Sequence, residues 1–176
     1  ILRDELAAAE LLPRLLEDQI DYFSVARGLP AGAWRRTLRS AHEAGIEVWG
    51  SLPSAVVLED ALAAKMDGLF GLDGFLPAGT DWPELDLDGI EGRIRAASAA
   101  QLEVTPILGA TAVTLEDWSR EPEELALLAP HYLPLWRARM AEIAAAPSEM
   151  RARLASALEL QGRLLVSLHR AGVRAV

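Results

Sequence analysis

The chain has 176 residues, of which 51% are hydrophobic and 24% are charged. This length and composition are typical of a soluble globular protein, and we expect residues 1–176 to form a single domain with a sizeable core. The net charge of −9 argues against a nucleic-acid partner, because nucleic-acid-binding proteins usually carry a basic surface.

The absence of cysteine excludes disulfide bonds and thiolate metal sites. No apolar run approaches the roughly 20 residues that a membrane helix needs, and no secretory signal is visible. We therefore expect a cytoplasmic protein without a membrane partner, since a chain without cysteine fits a reducing compartment.

Short apolar runs alternate with helical spacing along the chain. The first half predicts a strand over 20–26, a helix over 31–44 that Gly45 closes, and a strand over 46–50. The rest of the chain predicts helices over 58–64, 90–100, 123–146 and 148–171, strands over 68–72, 104–108 and 173–176, and a loop over 77–89. We expect Pro130 and Pro134 to interrupt the third of these helices and Ser148 to be the N-cap of the last.

Strands that alternate with helices indicate βα units and a parallel sheet. The predicted fold class is α/β, in the form of a partial TIM-type (β/α) barrel with parallel strands. An open doubly wound parallel sheet is the alternative, and a reversal in strand order would reveal it. A full barrel typically needs about 250 residues, so we expect this chain to be a segment of a larger barrel.

Several segments, in this order, resemble the carboxyl-terminal part of the barrel of the amidohydrolase superfamily, in its imidazolonepropionase-like and prolidase-like branch. They are residues 21–25 (DYFSV), 41–45 (AHEAG), 45–53 (GIEVWGSLP), 58–62 (LEDAL), 68–74 (GLFGLDG), 104–108 (VTPIL), 132–136 (YLPLW) and 168–173 (LHRAGV). The resemblance implies a metal-dependent hydrolase that acts on C–N bonds and binds zinc or another divalent metal.

The positions that hold the metal in that family are substituted in this chain. Ser24 stands where the resemblance places a bridging lysine, and Ser51 and Gly71 stand where it places two histidines. Hydroxyls and a glycine are poor replacements for such ligands, so we expect no cofactor and no metal in this chain. Whether the chain is an enzyme stays open: the alternative is a non-catalytic relative, a pseudoenzyme that serves in binding or assembly.

Three residues follow predicted strands, at the edge where barrel enzymes place their sites, and are candidates for binding a substrate or other small molecule. Arg27 could hold an anion, Asp73 could hold a cation or act as a base, and Ser51 could bind the substrate or act as a nucleophile, although nothing marks a base for it. The simpler alternatives are a surface ion pair for Arg27, a turn residue for Asp73 and a small strand-end residue for Ser51. No residue is assigned a catalytic role, and no histidine pair has metal-ligand spacing.

A partial barrel leaves open sheet edges, and open edges invite pairing. We therefore expect either self-association or completion of the sheet by a missing amino-terminal half.

Overall fold

The computed structural model describes residues 20–109, 112, 115, 123–127 and 129–176. These residues form an α/β fold with a five-stranded parallel sheet flanked by helices, which confirms the predicted fold class. The strands are β1 (Tyr22–Val25), β2 (Glu47–Gly50), β3 (Gly68–Phe70), β4 (Glu103–Thr105) and β5 (Arg174–Ala175). The α-helices with described bounds are α1 (Ala31–Glu43), α2 (Leu58–Ala63), α3 (Glu91–Ala99), α4 (Leu133–Ala144) and α5 (Ser148–Arg170).

The strand order in space follows the order in sequence, β1-β2-β3-β4-β5, and every pair is parallel. In the β1–β2 pair Tyr22 lies opposite Glu47 and Val25 lies opposite Gly50. A doubly wound sheet reverses its strand order at a switch point, and the five described strands contain no such reversal. The five described strands therefore follow one another in one direction across the sheet, an order that is compatible with a partial barrel.

Helix α1 forms because its apolar residues recur every three or four positions and cover one face. Trp34, Leu38 and Ala41 on that face are almost fully buried, and they pack with Val25 and Val48 of the first two strands. Gly45 follows the helix with φ +74, which confirms it as the residue that closes α1, since glycine adopts this conformation without steric cost.

A second, larger core lies under strands β3 and β4. It joins Leu69 and Phe75 to Ile90 and to two residues of α5, Leu164 and Leu168. Helix α5 is thereby packed against the sheet, and its second half continues into β5. The long helix thus ties the last strand to the rest of the fold.

The face of β2 that is turned away from α1 carries the aromatic side chain of Trp49. Successive strand residues point to opposite faces, so Trp49 lies on the face away from Val48 and its helical cover. Its ring crosses the neighbouring strand at Gly68, where an added Cβ would clash with the indole. Trp49 also contacts the ring of Phe70, with centroids 6.2 Å apart. Gly68 is therefore required for the packing of this aromatic pair.

Three element predictions need correction. Ser148 is not an N-cap, because α5 begins at Ser148 itself and Pro147 is the N-cap residue. Pro134 does not interrupt a helix, because it lies in the first turn of α4, where its missing N–H leaves no hydrogen bond unmade. Strand β4 ends at Thr105 rather than at residue 108, because Pro106 cannot donate to a sheet. In the described parts of 123–146, 3₁₀ turns at Glu123–Leu127 and Pro130–Tyr132 precede α4.

The predicted loop over 77–89 contains two short 3₁₀ turns, Trp82–Glu84 and Asp88–Ile90. Another 3₁₀ turn, Asp73–Phe75, follows β3. None of the helices in the described part of the chain is both long and apolar enough to cross a bilayer.

Candidate functional site

A cleft of about 510 Å³ lies where the carboxyl ends of the strands meet; we call it the carboxyl-end cleft. Its walls come from the segments that follow β1 to β4, together with one residue of α5. The polar side chains in these walls belong to Arg27, Ser51, Ser54, Asp73 and Gln161, and the apolar ones include Leu52, Val56, Leu72, Leu76, Ile107 and Leu108. A cleft of this volume and mixed lining is typical of a small-molecule site.

Arg27 and Asp73 form an ion pair at this cleft. The guanidinium Nη2 donates to Asp73 Oδ2 at 2.6 Å, and the two side chains are about half exposed or more. The other carboxylate oxygen, Asp73 Oδ1, accepts the indole N–H of Trp82 at 2.8 Å. Both oxygens of the carboxylate are thus engaged, which fixes its orientation toward Arg27.

Backbone hydrogen bonds hold the loops of the cleft in place. The amide of Ser51 donates to the carbonyl of Val25 at 3.1 Å, so the segment after β2 stays attached to the end of β1. The amide of Gly71 donates to the carbonyl of Thr105 at 2.8 Å and does the same for β3 and β4. Gly50 has φ +144, and an added Cβ there would collide with the carbonyl oxygen of Val25. Only glycine therefore allows β2 to turn into the cleft at this point.

The structure brings all three predicted site residues to one cleft. Arg27 and Asp73 contact each other, and Ser51 lines the same cavity. Their role in binding a ligand stays a prediction. Two neighbours were missed from sequence: Trp82 lies in a 3₁₀ turn nine residues beyond its partner Asp73, and Gln161 lies in the middle of α5. The pattern offered no signal for Gln161, while a tryptophan in a Pro/Asp/Gly-rich loop was an irregularity that could have drawn attention.

The positions for which the sequence resemblance implied metal ligands carry side chains that zinc rarely uses. Ser24 is exposed on β1, Ser51 offers a hydroxyl, and Gly71 offers no side chain. Asp73 is the nearby carboxylate, and its two oxygens are engaged by Arg27 and Trp82. Over the described ranges, no three His, Cys, Asp or Glu side chains are grouped as metal ligands would be.

Two of the three histidines contact neighbouring side chains that do not line the carboxyl-end cleft. His42 Nε2 is 2.9 Å from Asp67 Oδ2, and that carboxylate oxygen also accepts the amide of Val48 at 2.8 Å. This group joins the end of α1 to the start of β2 and β3, at the opposite end of the sheet from the cleft. His131 packs against the ring of Tyr132, with centroids 4.1 Å apart.

An ion pair anchors the Trp82 turn to α5. Arg153 Nη2 donates to Asp81 Oδ2 at 2.6 Å, and Asp81 Oδ1 accepts the amide of Trp82 at 2.8 Å. The hydrogen bond from Arg153 and then that from the Trp82 amide lower the pKa of the Asp81 carboxyl below its ordinary 3.8. The charged form of Asp81 therefore holds the turn in the position from which Trp82 reaches Asp73.

The fold and the cleft define a protein of parallel βα repeats with a ligand-sized cavity at the carboxyl ends of its strands. Among solved structures, the chain is similar to one described as AH, bottromycin amidohydrolase. The TM-score is 0.75 at 24% sequence identity, and the match covers 100% of this chain and 41% of that chain. This likeness shows the fold. No family model matches the chain, and no curated protein matches its sequence.

Proposed function

We propose that this chain is the carboxyl-terminal part of an amidohydrolase-like barrel and that it binds a small molecule in the carboxyl-end cleft without an intact metal site. The likeness to an amidohydrolase structure over 100% of the chain supports the ancestry. The order of the strands supports the barrel, because it runs without reversal. The sequence resemblance adds the superfamily and its action on C–N bonds.

The observation that carries the binding role is the pairing of Arg27 with Asp73 beside Ser51 at the cleft. A guanidinium, a carboxylate and a hydroxyl together can contact both charged and neutral polar groups of a ligand. Apolar residues such as Leu72 and Leu108 supply the rest of the lining. This combination of an apolar wall with a few polar anchors is what a small-molecule site needs.

Two functions compete at this cleft. In the hydrolase, a metal activates water for attack on a C–N bond, and that metal would need ligands from outside this chain. In the non-catalytic relative, the cleft binds without turnover. Ser24, Ser51 and Gly71 favour the second, because they supply none of the usual ligands. The contacts of Asp73 are consistent with a positioning role, since its carboxylate holds Arg27 and accepts the indole N–H of Trp82.

The chain spans 41% of the length of the bottromycin amidohydrolase structure that it resembles. We propose that further strands complete the sheet beside β1, either from an amino-terminal half or from a second copy. Tyr22 on β1 supports this, because it is 54% exposed and β1 is an outermost strand among those that the structure describes. Unpaired edge strands of this kind readily associate with other strands.

A fragment titration tests the binding role. The ¹⁵N-labelled chain is titrated with small carboxylates, amines and amides, and backbone amide signals are followed. We expect at least one fragment class to shift the signals of Ser51, Gly71 and Asp73, and Arg27→Gln to abolish those shifts. Arg95→Gln is the matched control, because Arg95 forms an exposed ion pair with Glu91 on α3, outside the cleft. If no fragment class shifts these signals, the cleft is not a binding site.

A further inference from the structure

A second cleft, of about 440 Å³, lies between the Trp82 turn and the first half of α5. Trp82 and Pro83 form one wall, Met150, Leu154 and Ala157 form the other, and Gln161 lies at the end. The cavity is large enough for a small molecule and its lining is mostly apolar. Gln161 also lines the carboxyl-end cleft, so this residue borders both cavities.

Gln161 carries a buried acceptor without a donor. The residue is 8% exposed, and its Oε1 has no hydrogen-bond partner. A buried polar atom left unpaired costs about 1–3 kcal/mol, so a ligand that donates to this oxygen would recover part of that cost. The other unpaired buried atom among the described side chains is Trp34 Nε1, but Trp34 is 0% exposed on the buried face of α1 and lines neither cleft. Of these two residues, Gln161 is the one that lines the second cleft.

The rim of the second cleft selects against charged ligands. Arg153 and Asp81 pair with each other at 2.6 Å, so neither offers a free charge. Glu149 at the same rim adds a negative charge that disfavours anions. The walls within are apolar, and an unpaired charge there would lose its hydration. The occupant that fits is therefore neutral.

We propose that the second cleft binds a neutral aliphatic molecule that carries an amide group, with its N–H donated to Gln161 Oε1. An amide has one donor and one acceptor, which complement the oxygen and the NH₂ of the glutamine side chain. Its alkyl part lies between Trp82 and the apolar residues of α5. This site is separate from the carboxyl-end cleft and does not depend on the function proposed for that cleft.

A matched pair of probes tests the proposal on the full chain. The ¹⁵N-labelled protein is titrated with N-butylacetamide and, separately, with butyl acetate, which has the same shape but no N–H. We expect the amide to shift the indole signal of Trp82 and the side-chain amide signal of Gln161. We expect the ester to bind at least about fivefold more weakly, the ratio that one hydrogen bond of about 1 kcal/mol gives.

Variants separate the polar anchor from the apolar wall. Gln161→Met removes the acceptor at similar size, so the preference for the amide should disappear. Met150→Glu, at a residue 52% exposed, should weaken both probes several-fold without disturbing the fold. Val166→Glu is its control, because Val166 is 49% exposed on the same helix but outside the cleft. Equal affinity for the two probes, an amide preference that survives Gln161→Met, or shifts confined to the Ser51 and Gly71 signals would overturn the proposal.

Discussion

The indole N–H of Trp82 donates to the carboxylate of Asp73 at 2.8 Å and so connects two cavities of this protein. Asp73 lines the carboxyl-end cleft, and Trp82 forms a wall of the second cleft. The same carboxylate holds Arg27, so the position of the guanidinium depends on a turn that is itself anchored to α5 through Asp81 and Arg153. The geometry of the candidate site is therefore set by a loop between β3 and α3 as well as by the strand ends.

Replacing Trp82 by phenylalanine tests this connection. Trp82→Phe keeps an aromatic ring in the core but removes the hydrogen bond to Asp73, so we expect a loss of about 1 kcal/mol of unfolding free energy in urea titration. Trp49→Phe is the matched control, because the indole of Trp49 donates to the exposed Glu47, where water can replace it. An equal loss of unfolding free energy in the two variants would show that the hydrogen bond from Trp82 to Asp73 stabilises the fold no more than the exposed one from Trp49 to Glu47.

Two glycine-to-alanine changes should have opposite effects on the free energy of unfolding. Gly50→Ala forces a Cβ against the Val25 carbonyl at φ +144, so we expect destabilisation by about 2 kcal/mol or more. Gly162→Ala lies inside α5 with no atom within 4 Å of the added Cβ, and we expect stabilisation by about 0.5–1 kcal/mol. Thermal and urea unfolding of both variants measure this. A neutral Gly50→Ala would mean that the turn into the cleft can relax.

The Asp81–Arg153 pair predicts a pH dependence. The pKa of the Asp81 carboxyl is lowered from 3.8, so the stabilisation by its charged form is present above 3.8 and is lost as the pH falls through the lower, folded-state value. Arg153→Gln removes the hydrogen bond that is the main cause of the lowered pKa. The variant should therefore raise the pKa of Asp81 toward 3.8, as a carboxyl-carbon NMR titration would measure. Arg163→Gln, on the same helix but not paired with Asp81, should leave it unchanged. An unshifted titration in Arg153→Gln would contradict the pairing.

The position of β1 at the margin of the described sheet predicts self-association of the isolated chain. Tyr22→Lys places a charge on this edge, so we expect it to shift the chain toward the monomer in light scattering at matched concentrations. Leu135→Lys is the control, because Leu135 is 68% exposed on α4 and is not part of the sheet. If the unmodified chain is a stable monomer at low and high concentration, the edge is not an interface.

The order of the elements and the membership of the carboxyl-end cleft were predictable for a physical reason. Apolar periodicity marks strands and helices, and parallel strands bring their carboxyl ends to one edge, which placed Arg27, Ser51 and Asp73 together. The contacts of Trp82 and Gln161 were not predictable, although a tryptophan in a Pro/Asp/Gly-rich loop was an irregular feature, because these contacts depend on how a loop and a helix distant in sequence pack together. The exact residue at which a strand ends, such as Thr105 in β4, depends on a single proline.

The central claim, a cleft without an intact metal site, is tested most directly by calorimetric titration of the metal-stripped chain with zinc. Tight zinc sites use about three or four nitrogen, sulfur or carboxylate ligands, and the cleft offers Asp73 with both oxygens already engaged. We expect no one-to-one binding of micromolar affinity or better, and no amide hydrolysis by the chain in the presence of zinc. A one-to-one zinc site of micromolar affinity that is lost on Asp73→Ala would contradict the account.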